Sequence, residues 1–273
     1  METQWSLVLF TVISGIGAWS FATSMLQALA NKGKLPSKVE TIVSGVLLIV
    51  GGIVSATHLK HVDRIFEALN HPTSGIFVEA ALIGVLCVLL FIYLVMIIRK
   101  VDEKPLKVVG TITMLIAIVF PFMCGYSYMM SARQAWMTIA LPLAYCLTPA
   151  AGGAGLAALL KAQAGASKKE LTFTGMLTCV FGVLGIVVSA AFFAYASGWL
   201  GQAQPGCIAW IVATFVCGIV SAIVGAYGYK KPENALACGV VACLFSCVCA
   251  IAMRVGMWAI GTPLMDFFQM PME

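Results

Sequence analysis

All three histidines of this 273-residue chain fall within one polar stretch, Thr57-His58-Leu59-Lys60-His61-Val62-Asp63-Arg64-Ile65-Phe66-Glu67-Ala68-Leu69-Asn70-His71-Pro72-Thr73-Ser74. Glu79 follows five residues later, at the head of a long apolar run. An imidazole titrates near neutral pH and suits general acid–base work. A carboxylate set at the edge of hydrocarbon is costly unless wet or paired, so its presence there points to function. His58 is suited to accept a proton from a quinol-like hydroxyl, or to hydrogen-bond its oxygen. Glu79 is placed to relay a proton outward or to pair with Arg64 or Arg133, and Arg64 to hold Glu79 charged or bind a ligand oxygen. Asp63, Glu67, His61 and His71 read as solvated residues of the same insert. Arg254 is the one charge deep in the last apolar run and must face the protein interior or a wet cavity.

The elements around these residues are those of a membrane protein. The chain is 61% hydrophobic, only 10% charged, and has a mean hydropathy of +1.00, whereas soluble domains carry about 25% charged residues. Eight runs approach the roughly 20 apolar residues that a spanning helix needs: Trp5–Ala30, Thr41–Thr57, Ile76–Ile98, Leu106–Met130, Trp136–Leu160, Leu171–Ala196, Gly206–Tyr229 and Ala235–Ile260. They are continuous rather than alternating, which excludes the pattern of a transmembrane β-barrel. The expected fold is therefore an all-α integral membrane domain of eight helices spanning residues 1–273. The first run reads as a retained helix rather than a cleaved signal peptide.

Basic residues predict the orientation. The connections after helices one, three, five and seven hold twelve Lys and Arg, among them Lys32, Lys34, Arg99, Lys100, Lys161 and Lys230, and the opposite side holds three, Lys60, Arg64 and Arg133. Cytoplasmic loops collect Lys and Arg, so both termini and the histidine insert are expected outside. Within the insert, Val62, Ile65, Phe66 and Leu69 share one helical face, and Asn70-His71-Pro72 would end that short interfacial helix.

Other motifs are read as structural. The ten cysteines sit in or beside apolar runs without a Cys-x-x-Cys pair, as small packing residues do; only Cys207, near the outer surface, has an open redox state. Gly152, Gly153, Gly155, Gly182 and Gly185 allow close helix contacts. Pro121 and Pro142 are positioned to break helices four and five. No internal repeat is evident in the sequence, although eight helices leave room for a structural one. A bis-histidine haem needs axial ligands facing each other across a bundle, and here all three histidines lie on one insert, so neither haem nor a bound redox metal is expected.

Two stretches resemble a known family. Ser55-Ala56-Thr57-His58-Leu59, with Arg64, Ala68-Leu69, Ser74 and Glu79, and then Ala132-Arg133-Gln134-Ala135-Trp136-Met137-Thr138, are similar to the membrane anchor subunit (DmsC type) of the dimethyl sulfoxide reductase family. The resemblance implies eight helices with both termini outside. It also implies menaquinol binding and oxidation near the outer face by His58 and Glu79; Arg64, Arg133, Trp136 and Arg254 are the further residues expected to border that site. It implies two partner subunits, a four-cluster iron–sulfur protein and a molybdopterin catalytic protein, which alone carry the clusters and the molybdenum cofactor. The setting implied is anaerobic respiration at the bacterial inner membrane. Where the family commonly reads His-Leu-Gly-Arg-Pro, this chain reads His58-Leu59-Lys60-His61-Val62, so the terminal electron acceptor does not follow from the resemblance. Two other readings stand beside it: a quinone-reactive anchor of the polysulfide-reductase type, which usually has more polar residues in its bundle, and a secondary transporter, which would show broken midplane helices and inverted repeats.

Overall fold

The computed structural model describes residues 3–57 and 74–261. Among these, eight spans cross the length of a bilayer and no strand occurs. The helices are α1 (Trp5–Leu29), α2 (Lys38–Ala56), α3 (Gly75–Ile98), α4 (Glu103–Tyr126), α5 (Ala140–Leu147), α6 (Ala150–Gln163), α7 (Lys168–Ala196), α8 (Cys207–Lys230) and α9 (Ala235–Ile260). Helices are forced on such a chain because each backbone N–H and C=O must find its partner within the segment when water is absent. Histidines 58, 61 and 71, Arg64 and the proposed interfacial helix Val62–Asn70 lie outside the described residues.

The predicted runs and the observed helices agree within a few residues except in the fifth. That span is two helices, α5 and α6, with Thr148 and Pro149 between them. Pro149 lacks the N–H of a continuing helix, whereas Pro142 lies inside α5 and Pro121 inside an unbroken α4. The interruption therefore falls at a third proline, not at either proline singled out from the sequence. Trp136, taken as the head of the fifth run, sits in a separate 3-10 turn before it, Gln134–Trp136.

The chain is built twice. In the first half α2 packs between α1 and α3, and α4 returns to α1; in the second α7 packs between α6 and α8, and α9 returns to α6. The halves meet where α1 crosses α6 and where α4 packs on α5. Both run in the same direction, because four passes separate equivalent helices, so the duplication is a parallel one. With the packing known, the sequence echo becomes visible: Ser37-Lys38-Val39-Glu40 opens α2 and Ser167-Lys168-Lys169-Glu170 opens α7, followed by Ser44-Gly45 and Thr174-Gly175. Each serine accepts from the backbone of its glutamate, and each glutamate accepts from the backbone N–H of its serine. These are capping boxes that satisfy orphan N–H groups of the first turn.

Helix α1 is the hub: 78% of its apolar window is buried in the bundle, against 17% for α3, which faces lipid. Close approach of α6 depends on Gly153, where a Cβ would lie 2.4 Å from Trp19 Cβ and 2.7 Å from the Ser20 backbone nitrogen. Trp19 Nε1 donates to the carbonyl of Cys146 at 2.7 Å, tying α1 to α5. At the end of the bundle away from Glu79, Lys161 bridges the halves. Its ammonium lies 3.1 Å from Glu40 Oε1, and both side chains are 5% exposed. Ser24 of α1 donates to the same carboxylate at 2.5 Å, while Gln27 Nε2 donates to the Glu170 carbonyl at 2.7 Å. Counted from the sequence as a loop charge, Lys161 is in fact a buried partner, though it remains at the end that its basic neighbours mark.

Breaking a buried pair strands a charge, at a cost of about 3–5 kcal/mol, whereas replacing both partners with apolar groups is far milder. Lys161→Met alone should therefore lower the unfolding temperature of the detergent-solubilised protein more than Lys161→Met with Glu40→Leu. Gly153→Val should do the same while Gly84→Val, at a position with open space around it, leaves the melting curve in place.

Candidate functional site

Glu79 lies one turn into α3. Ser74 caps that helix by accepting from the Phe77 N–H at 3.2 Å. Gly75 brings the helix start so close to the end of α4 that a Cβ there would sit 2.7 Å from Ser127 Cβ. Glu79, four residues on, shares that face, and its carboxyl group is hydrogen-bonded to the Ser127 side chain. The glutamate is half-buried, while its neighbours Ile76 and Ala80 are exposed on the helix that most faces lipid. A lipid-borne molecule can thus approach this carboxyl from the side.

Behind Ser127 stands a set of aromatic side chains. Tyr128 meets Tyr145 at 5.4 Å between ring centres, Trp258 at 5.9 Å and Trp136 at 6.0 Å; Trp136 and Trp258 meet edge to face at 5.3 Å. Such tilted and edge-on pairs suit the ring quadrupole. Trp136 is fixed by donating from Nε1 to the Met257 carbonyl at 3.0 Å, and Gly261 has room for no side chain against its ring. Arg133 lies over this pair, 4.3 Å from the Trp136 ring and 5.8 Å from Trp258, and also donates to the Gly261 carbonyl at 3.3 Å. Among the described residues the buried Trp258 indole N–H has no hydrogen-bond partner.

Arg254 is fully buried. Nε donates to Thr11 Oγ1 at 2.7 Å, Nη1 to Thr148 Oγ1 at 3.2 Å and to the Ala250 carbonyl at 3.0 Å, and Nη2 to the Tyr145 carbonyl at 3.1 Å. The guanidinium also lies 4.2 Å from the centre of the Tyr145 ring. The break between α5 and α6 thus has a purpose in the packing: it sets the Thr148 hydroxyl and the Tyr145 carbonyl around this cation. The sequence placed Arg254 in the interior but did not show its partners, which come from α1, α5, the α5–α6 junction and its own helix.

Of the residues singled out from the sequence, the fold gathers Glu79, Arg133, Trp136 and Arg254 at one end of the bundle around Tyr128 and Tyr145. Cys124, Tyr128 and Tyr145 lie within electrostatic reach of both Glu79 and Arg254. Sequence reasoning missed Ser127, Tyr128, Tyr145 and Trp258. A cluster of aromatic and hydroxyl residues at the ends of apolar runs was the available signal, but membrane interfaces are generally rich in Trp and Tyr, so it did not stand out. Cys207 is buried, and all ten cysteines are free thiols.

Eight apolar spans with a half-buried carboxyl and an aromatic group at one end define a multi-pass membrane protein with a polar site at its rim. The family model for the DMSO reductase anchor subunit (DmsC) matches residues 1–200, from α1 through α7 and the turn after it. The chain belongs to that family and is a membrane anchor subunit of a DMSO-reductase-type complex. No curated protein matches it.

Replacing Trp136 by Phe keeps the ring and removes one buried hydrogen bond, a loss of about 1 kcal/mol. Trp136→Ala should cost roughly 3–5 kcal/mol. Thermal unfolding of the two variants in detergent reads the difference, and a Trp136→Phe variant as stable as the wild type would show that the bond to Met257 is immaterial.

Proposed function

We propose that this anchor subunit oxidises menaquinol at the Glu79 end of the bundle and hands two electrons to an iron–sulfur subunit docked there. That subunit in turn supplies a molybdopterin catalytic subunit. The observation that carries the reading is Glu79 itself, a carboxyl one turn inside a lipid-facing helix, held by Ser127 and backed by Tyr128. Quinol reaches it laterally past Ile76 and Ala80. Its ring fits an aromatic setting, and the Trp258 N–H, which has no partner among the described residues, and the Ser127 hydroxyl are suited to bind its oxygens. Oxidation releases two protons and two electrons: His58 and Glu79 take the protons, Arg64 and Arg133 orient the head group, and the electrons leave to the cluster. Charge asymmetry along the sequence favours the non-cytoplasmic side for this end and for both termini. Protons released there balance those consumed by a reductase on the same side, so turnover builds little membrane potential.

The match to the anchor-subunit family favours this reading over that of a secondary transporter. Two experiments test the proposal. Isolation under mild conditions should yield the chain with a soluble iron–sulfur and molybdenum partner; a chain that emerges alone contradicts it. In that complex, His58→Ala and Glu79→Gln should each slow menaquinol oxidation by about 10²- to 10⁴-fold, the range of a lost proton-transfer group. Wild-type rates in both would remove these residues from the mechanism.

A further inference from the structure

Arg254 carries a full positive charge at zero exposure, and every partner that it binds is neutral: two hydroxyls and two carbonyls. Among the described residues no carboxylate pairs with it. The titratable groups around it are Tyr145 on α5, Cys124 on α4, Tyr128 after α4 and Cys249 on its own helix, with Cys146 and Cys247 also in reach. Phenols and thiols of ordinary acidity are neutral near pH 7, and α1 contributes only Thr11, so none of them balances the charge. Hydrogen bonds orient the guanidinium but do not cancel its field, which extends far in a medium without water. Four of its five N–H donors are used in holding it still. Such a fixed, desolvated charge favours any anion that forms nearby.

Resting on the quinol-oxidising reading above, we propose that Arg254 is a positioning residue for the anionic state of the substrate. It acts across Tyr145 and Tyr128 without touching the quinol. The first proton leaves a quinol hydroxyl for the base at the rim, and the product is the quinol monoanion. That anion then gives up its second proton and two electrons, the electrons passing to the partner's iron–sulfur cluster, and leaves as quinone. Arg254 lies 4.2 Å from the Tyr145 ring, which lies 5.4 Å from that of Tyr128. These spacings carry the charge as far as Tyr128, and one fixed charge about 10 Å from an anion in a protein interior changes that anion's population on the order of tenfold. The field makes the first deprotonation easier and leaves the neutral quinol's affinity unchanged.

The test uses the intact complex and the pH dependence of steady-state menaquinol oxidation. Arg254→Gln keeps hydrogen-bonding capacity and removes the charge. It should move the ascending limb of the kcat profile about one unit to the alkaline side, lowering kcat about tenfold below that limb, with KM nearly unchanged. Arg254→Lys keeps the charge and should retain the wild-type profile, whatever it does to stability. If Arg254→Gln fails to assemble, Thr11→Asp decides: it places a carboxylate against Nε and neutralises the charge in situ, and should give the same alkaline shift. A purely structural arginine would instead give an unshifted profile in Arg254→Gln or Thr11→Asp, which overturns the inference while His58→Ala and Glu79→Gln remain impaired. A wild-type complex that does not oxidise menaquinol, or one indifferent to His58 and Glu79, would overturn the functional reading itself and this inference with it.

Discussion

In hydrocarbon there is no water to repair an unpaired polar group, and this bundle is organised around that single constraint. Its buried cations are held in two ways. Lys161 meets a carboxylate at 3.1 Å, and the pair becomes the bolt between the two halves. Among the described residues Arg254 meets only neutral oxygens, so its charge remains effective at a distance. One cation is spent on holding the fold together, and the other leaves a field near the rim where Glu79 sits. The interrupted fifth span serves the second arrangement, because an unbroken helix there would tie up the Tyr145 carbonyl that Arg254 uses.

The duplication explains why α1 and α6 are the most buried elements of their halves. Each is the helix to which the fourth helix of its half returns, and the two cross at Gly153. The halves have diverged in chemistry. The first carries Glu79 at the start of its third helix; the second opens its third helix with Cys207-Ile208-Ala209-Trp210 and no carboxylate. One half therefore presents the proton-handling group, and the other contributes Arg254 and Trp258 to the wall behind it.

Much of this was legible in the sequence. Uninterrupted apolar runs located all eight spans, because length and hydropathy decide membrane insertion almost alone. Glu79, Arg133, Trp136 and Arg254 could be singled out because charge and indole are scarce in such runs. Their grouping at one end also followed from topology. What could not be read were contacts across the bundle. Lys161 looked like a loop charge because its partner Glu40 is far away in the chain. Pro142 was singled out as a helix breaker although the break falls at Pro149, where Arg254 draws on Thr148 and Tyr145. The repeat was hidden because just the capping boxes and one small-residue pair survive, too little to notice without the helix neighbours.

The bolt between the halves also bears on how the chain is made. Glu40 and Lys161 lie on the second and fifth spans, so a chain emerging from the ribosome commits the acid to the bilayer well before the base exists. Until α6 arrives, the first four spans hold a carboxyl group with only Ser24 and Ser37 to satisfy it. The nascent first half is therefore an incomplete intermediate that the later span must rescue. Truncation anywhere before Lys161 leaves Glu40 without its cation.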